Sequence, residues 1–292
     1  MATDGQLLEW NRRGLIPAPG EDAETFGRRL ELLVNGEKQF REILQAQRGE
    51  RADLGQFKEA LERCGALWGI WPDWAFLFYS KVGLSFWHAG ATLIWQEEGL
   101  SLPAIQLHPV FARQERYLGM YDREELVVHE LVHAGRAAFN EHRFEEFFAY
   151  KGSTIVARRF LGPVLHSAWE AWLYLASWVV PFVIEYFVVA LGSERLWRWG
   201  LLSYLFPVGI TLFALGRLIW RHRTFRRALS SLQTLFHEEQ RARFVLYRLR
   251  DKEIRRFSKM TPQQVYAYAK RERTRSLRWK VIWLAYFERL RP

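Results

Sequence analysis

The sequence predicts an α+β protein with a small sheet, two facing helices that carry the chemistry, a two-helix membrane hairpin and a helical C-terminal tail. Three observations predict it. The segment His129-Glu130-Leu131-Val132-His133 lies in an apolar helical pattern. Before it, short aromatic and β-branched runs are separated by glycine-containing turns. After it come two apolar runs long enough to cross a bilayer.

Composition sets the outer limits. The 292 residues allow one sizeable domain or two small ones, and 49% apolar residues allow a large core. The net charge of +10 points to an anionic neighbour, nucleic acid or phospholipid. The single cysteine, Cys64, excludes a disulfide framework and a cysteine-based zinc site. Residues 1–10 lack a basic segment followed by an apolar run, so no secretory signal is expected. Four regions follow: an N-terminal helical region (1–70), a core (71–165), the hairpin (166–221) and a basic helical region (222–292).

Residues 4–13 form a short helix, ended by the prolines and glycines of 14–20. Residues 21–47 and 53–67 read as charged amphipathic helices. Residues 74–79, 91–96 and 103–108 read as strands of a sheet of three or four. A connector over 109–119 leads to the His-Glu-x-x-His helix, which Asp122 caps with Glu125 as its capping-box partner.

On that helix His129 and His133 share one face, as i and i+4. Two imidazoles so placed supply two protein ligands of a catalytic zinc, and Glu130 beside them is placed to take a proton from water at the metal. Asn140 makes a turn, and a second helix starts near residues 141–143. Helices joined by a tight turn run antiparallel, so His133 and the pair Glu145/Glu146 each lie ~10 Å from the turn at ~1.5 Å per residue. One carboxylate of this pair is the expected third ligand; Glu145 and Glu146 are ~100° apart, so only one faces the metal. His142 is an alternative close to the turn.

Residues 129–150 resemble the gluzincin branch of the zincin metallopeptidases, in which a "glutamate helix" follows the His-Glu-x-x-His helix. The resemblance implies a zincin-like sheet, one Zn2+ and hydrolysis of a peptide or protein substrate with Glu130 as general base. Several gluzincin families carry Glu-x-x-Ala, and Glu146-Phe147-Phe148-Ala149 matches that register, which makes Glu146 the implied ligand and Glu145 the alternative. The chain departs from the pattern at Tyr150, where those families often have an aspartate that orients a ligand histidine. Its second ligand shell must therefore be built differently. A metzincin is excluded, because the sixth residue after His133 is Phe139 rather than histidine. Tyr150, one turn beyond Glu146, is the first candidate for an oxyanion donor, with Tyr121, His108 and Arg136 also near. The strand at 103–108 is a candidate for edge pairing with extended substrate.

Residues 171–192 contain one charge, Glu185, and residues 199–216 none. With only 193–198 between them they read as a transmembrane hairpin, flanked by Trp169, Trp172, Trp197, Trp199 and Trp220 as interface anchors. Basic residues outside the hairpin (Arg158, Arg159, Arg217, Arg221, Arg223, Arg226, Arg227) outnumber Arg195 and Arg198 within its loop. Both termini and the zinc helix are therefore expected in the cytoplasm, a bacterial inner membrane being the expected setting. Glu185 is expected to bond to Ser203, Tyr204 or Arg195. Residues 221–258 read as one long helix, and a second runs from the Thr261-Pro262 start to about residue 289. Its basic series, from Lys270 to Lys280 and interleaved with Tyr266, Tyr268, Trp279 and Trp283, suits anionic lipid better than nucleic acid after a membrane hairpin. Two other classes fit the same letters: a zinc hydrolase acting on non-peptide bonds, and an inactive membrane scaffold that keeps the motif.

Overall fold

A computed structural model describes residues 2–97, 99–164, 168–192, 194–288 and 290, apart from the side chains of 163, 168 and 194–196. The expected 165/166 boundary and the Arg195 side chain, one expected partner of Glu185, lie outside the described residues. The chain is α+β: a small mixed sheet enclosed by helices.

The N-terminal helices are α1 (Asp4–Arg12), α2 (Ala23–Asn35), α3 (Glu37–Ala46) and α4 (Lys58–Trp68). The single helix expected over 21–47 is broken at Gly36. A Cβ there would lie 2.1 Å from the Leu32 carbonyl oxygen, so only glycine fits the break. Strand β1 (Glu50–Ala52), which the sequence did not predict, pairs antiparallel with β2 (Phe76–Tyr79). β2 runs parallel to β4 (Leu100–Leu107), and β4 pairs antiparallel with β3 (Gly90–Glu97), giving the order β1-β2-β4-β3. The expectation that residues 103–108 offer a free edge is therefore overturned: residues 104–107 of β4 are paired on both sides, and the edge strands are β1 and β3. The connector contains a small hairpin, β5 (Arg116–Tyr117) with β6 (Tyr121–Asp122).

Helix α5 (Arg123–Arg136) carries the His-Glu-x-x-His motif, and Val127, Val128, Leu131 and Val132 are fully buried. Asp122 accepts a hydrogen bond from the Glu125 amide at 3.0 Å, as expected of a cap. The Glu125 side chain does not return to complete a capping box. It accepts instead from Ser153 Oγ (2.6 Å), from Thr154 N and Oγ1 (3.1 and 2.8 Å) and from Arg158 Nη1 (3.2 Å). Asn140 turns the chain in the left-handed region, with φ 48°. Helix α6 (Glu145–Tyr150) then begins later than the expected 141–143. Residues 141–143 are held elsewhere: Glu141 accepts from Arg250 Nε and Asp251 N, and Arg143 N donates to Asp251.

After α7 (Val156–Leu161), α8 (Ala168–Leu191) and the stretch Trp197–Phe236 are both long and apolar enough to cross a membrane. Only 11% and 17% of their apolar windows are buried, whereas a core helix of the same composition would be mostly covered. The turn between them is shorter than expected. Gly192 adopts φ 57°, and α9 (Glu194–Ser203) takes up 194–198 of the residues read as a loop. It ends at Ser203, so the apolar run expected over 199–216 as one span is divided between two helices. Glu185 accepts a hydrogen bond from Tyr204 at 2.6 Å, one of its expected partners.

Helix α10 (Leu205–Phe236) passes without a break from this apolar region into the protein interior, crossing the expected limit at 221/222. The long helix expected over 221–258 ends at His237, which has φ 56°, and continues as α11 (Glu239–Tyr247) and α12 (Asp251–Phe257). The last expected helix divides into α13 (Pro262–Glu272) and α14 (Leu277–Ile282). These breaks fold the tail onto α4, α5 and α6, and one apolar interior joins them all. Arg248 is its polar centre. It donates to both Asn11 oxygens, to Trp68 O and Gly69 O, and to Phe244 O, at 2.6–3.0 Å. Trp279 and Arg278 are buried on Glu253, at 2.7 and 2.8 Å, so these two members of the expected basic-aromatic series are internal rather than presented to a polyanion.

Candidate metal centre

Two helices and one strand build the site. On α5, His129 and His133 are one turn apart, and their Nε2 atoms lie 3.2 Å from each other. From α6, Glu146 brings Oε2 to 3.5 Å from His129 Nε2 and Oε1 to 3.5 Å from His133 Nε2. A tetrahedral zinc with ligand bonds of about 2.0–2.2 Å requires ligand–ligand edges of roughly 3.3–3.5 Å. Each imidazole meets a different oxygen of Glu146 at that distance, and one donor atom from each of the three residues lies within 4.8 Å of the others, so the group could hold a metal ion through two nitrogens and an oxygen.

Glu145 is turned to the other side of His133. Its Oε1 is 3.1 Å from His133 Nδ1, the nitrogen remote from the cluster, and its Oε2 is 3.6 Å from His142 Nδ1. The neighbouring carboxylates have separated as the ~100° rotation per residue requires. Glu145 is thus placed to orient the His133 ring from its far side and lies outside the His129–His133–Glu146 group, whereas the family pattern has its orienting carboxylate at the position that is Tyr150 here. His142, 82% exposed, stays outside the His129–His133–Glu146 group. Burial disfavours the charged form of His133, but the bond to Glu145 and the negative fields of Glu146, Glu130 and Glu145 outweigh it, holding its pKa up at about 9.

Glu130 is buried and held from the sheet. Thr92 Oγ1, on β3, donates to Glu130 Oε2 at 2.7 Å. Thr92 was not singled out by sequence, because nothing local to residue 92 marks it; the contact depends on where β3 crosses α5.

Tyr150 packs its ring edge-on against His129, with centroids 4.8 Å apart. A Cβ on Gly162 would meet that ring at 2.3 Å, so glycine there leaves room for the tyrosine. Burial first, then the Glu146 charge and Tyr121, push the Tyr150 pKa up to about 12, which keeps its hydroxyl a donor at neutral pH. Tyr150 and Tyr121 line a cleft of about 510 Å³ together with His129, Glu130 and His88. Two other candidate donors point elsewhere. His108 accepts from Val110 N and stacks on Tyr117, while the guanidinium of buried Arg136 donates to the carbonyls of Tyr247 and Leu249. Arg158 also reaches the cleft and was missed as a lining residue.

Comparison with protein-family models, curated proteins and solved structures gives no match, so the site stands on its own geometry.

Proposed function

We propose that this chain is a membrane-bound zinc metallopeptidase of the gluzincin type, cutting peptide bonds on the cytoplasmic side of a bacterial inner membrane. The observation that carries the reading is the convergence of His129, His133 and Glu146, with one ligand atom from each within 4.8 Å of the others and Glu130 buried beside them. Zinc held by these three residues would supply a Lewis acid that brings the pKa of a water molecule towards ~7. Glu130, steadied by Thr92, takes the proton of the attacking water and returns it to the leaving amine. Tyr150, which lines the cleft, would be the donor for the carbonyl oxygen as it gains charge. Edge strand β3, which already supplies Thr92, is the element on which extended substrate would pair. The bilayer is the second partner, and nucleic acid is not favoured, since Trp279 and Arg278 are internal.

The test pairs metal analysis with one substitution. Purified protein should contain one zinc per chain, and Glu130→Gln should keep that zinc while lowering turnover by ~10²–10⁴-fold. A chain that binds no zinc, or a variant with unchanged turnover, overturns the proposal.

A further inference from the structure

The mouth of the cleft carries an apolar rim that the chemistry does not require. Phe86 is 73% exposed and Val156 is 70% exposed, with Trp87 and Phe160 beside them at 40% and 41%. Phe86 and Trp87 precede His88, and Val156 and Phe160 alternate along α7 with Ala157 and Leu161; His88, Ala157 and Leu161 all line the cleft. Single exposed apolar residues are ordinary, but large ones gathered on two segments beside one cleft mark a contact surface.

Continuity identifies what covers it. The Trp87 ring lies 6.3 Å from that of Trp172, in the first turns of α8. Along α8 the exposed apolar band continues through Leu175, Val179 and Phe182. Gly162, in the cleft wall against Tyr150, lies only a few residues before α8, which limits the chain between wall and helix to ~20 Å. Trp169 and Trp172 mark the level at which aromatic anchors meet headgroups, and Arg159 on α7 is exposed and cationic, as contact with anionic lipid favours.

We propose that the catalytic body lies with its cleft against the bilayer, Phe86, Trp87 and Val156 entering the interfacial layer while Phe160 stacks on His222 behind them, so that the substrate is a membrane-anchored polypeptide cut close to its span. The docking face rests on the hairpin being inserted, and the substrate class rests also on the peptidase reading.

Two measurements on the full chain, reconstituted in phosphatidylethanolamine–phosphatidylglycerol vesicles, test the two parts separately. A nitroxide is attached at Phe86→Cys or Val156→Cys, with Glu37→Cys on α3 as an exposed control; Cys64 is fully buried and stays unlabelled. Labels at 86 and 156 should respond more to dissolved oxygen than to a water-soluble nickel chelate, with the order reversed at 37. Labels at 86 and 156 that meet the chelate as freely as the control overturn the docking face. Next, a casein segment is fused at about 5, 15 or 40 residues from a single apolar span. The nearest fusion should be cut at least about tenfold faster than the same segment free in solution, through its higher effective concentration at the cleft. Equal rates overturn the substrate class. No cleavage of any substrate by zinc-loaded protein removes the peptidase reading and the substrate class with it, while the nitroxide depths still decide the docking face.

Discussion

Glu145 and Glu146 are adjacent in the chain and separate in placement: Glu146 faces the paired imidazoles of His129 and His133, and Glu145 holds His133 from behind. Removing the second should loosen the site without abolishing it. Glu145→Gln is expected to weaken zinc binding by ~10–100-fold, measured by chelator competition, whereas Glu146→Gln loses a ligand outright and should weaken it further. The same carboxylate shapes the metal-free protein. His133 has a folded pKa of about 9, above the ordinary imidazole value of about 6.5. A raised pKa stabilises the fold fully below the unfolded value and ceases to do so as pH rises through the folded one. Metal-free protein should thus lose melting temperature between about pH 6.5 and pH 9, and Glu145→Gln should flatten that slope. Zinc must also displace the His133 proton, so its affinity should rise with pH over the same range.

At the scale of elements, the placement of α5 depends on Glu125. Its carboxylate ties the first turn of α5 to Ser153, Thr154 and Arg158, and so fixes the segment between α6 and α7 at the edge of the cleft. Burial raises the Glu125 pKa, but those hydrogen bonds outweigh it and hold the carboxyl below its ordinary value. The stabilisation is therefore present above the ordinary value of about 4.3 and lost as pH falls through the depressed one. Glu125→Ala should cost about 1–3 kcal/mol in urea unfolding, because it leaves the buried Ser153 hydroxyl without this acceptor and removes the part-buried bonds from Thr154 and Arg158. Edge strand β3 is the counterpart on the other side of the site: Thr92 links it to Glu130, so the strand proposed to hold substrate also positions the proposed base.

At the scale of the whole molecule, the apolar hairpin and the body are built as one piece. α10 leaves the apolar region and enters the interior, where Phe225 packs against Phe147 and Phe148 on the back of α6, at 4.6 and 5.6 Å. Arg217 on α10 clasps Glu170 on α8 through two 2.7 Å contacts, joining the feet of the hairpin. A protein so built should stay in the membrane pellet after carbonate and urea washes. Both termini should be cleaved by protease only when it is added to the cytoplasmic face, as the basic residues outside the hairpin dictate. Release by either wash would count against insertion.

What the sequence determined by itself is what is local. The i, i+4 spacing of His129 and His133, the apolar faces of α5, the glycine-bounded strands and the two apolar runs all follow from patterns over a few residues. The three strands and α5 lie close to where those patterns put them, while the second apolar run is divided between α9 and α10. Tertiary structure alone decided the rest. Thr92 meets Glu130 across 38 positions and Arg248 meets Asn11 across 237, and no local pattern carries such distances. Tail residues such as Trp279 were legible as amphipathic helix but not as interior, because a helix face is the same whether a core or a lipid surface covers it. The turn before α6 likewise moved because Glu141 found Arg250 and Asp251, partners that only the folded chain brings near.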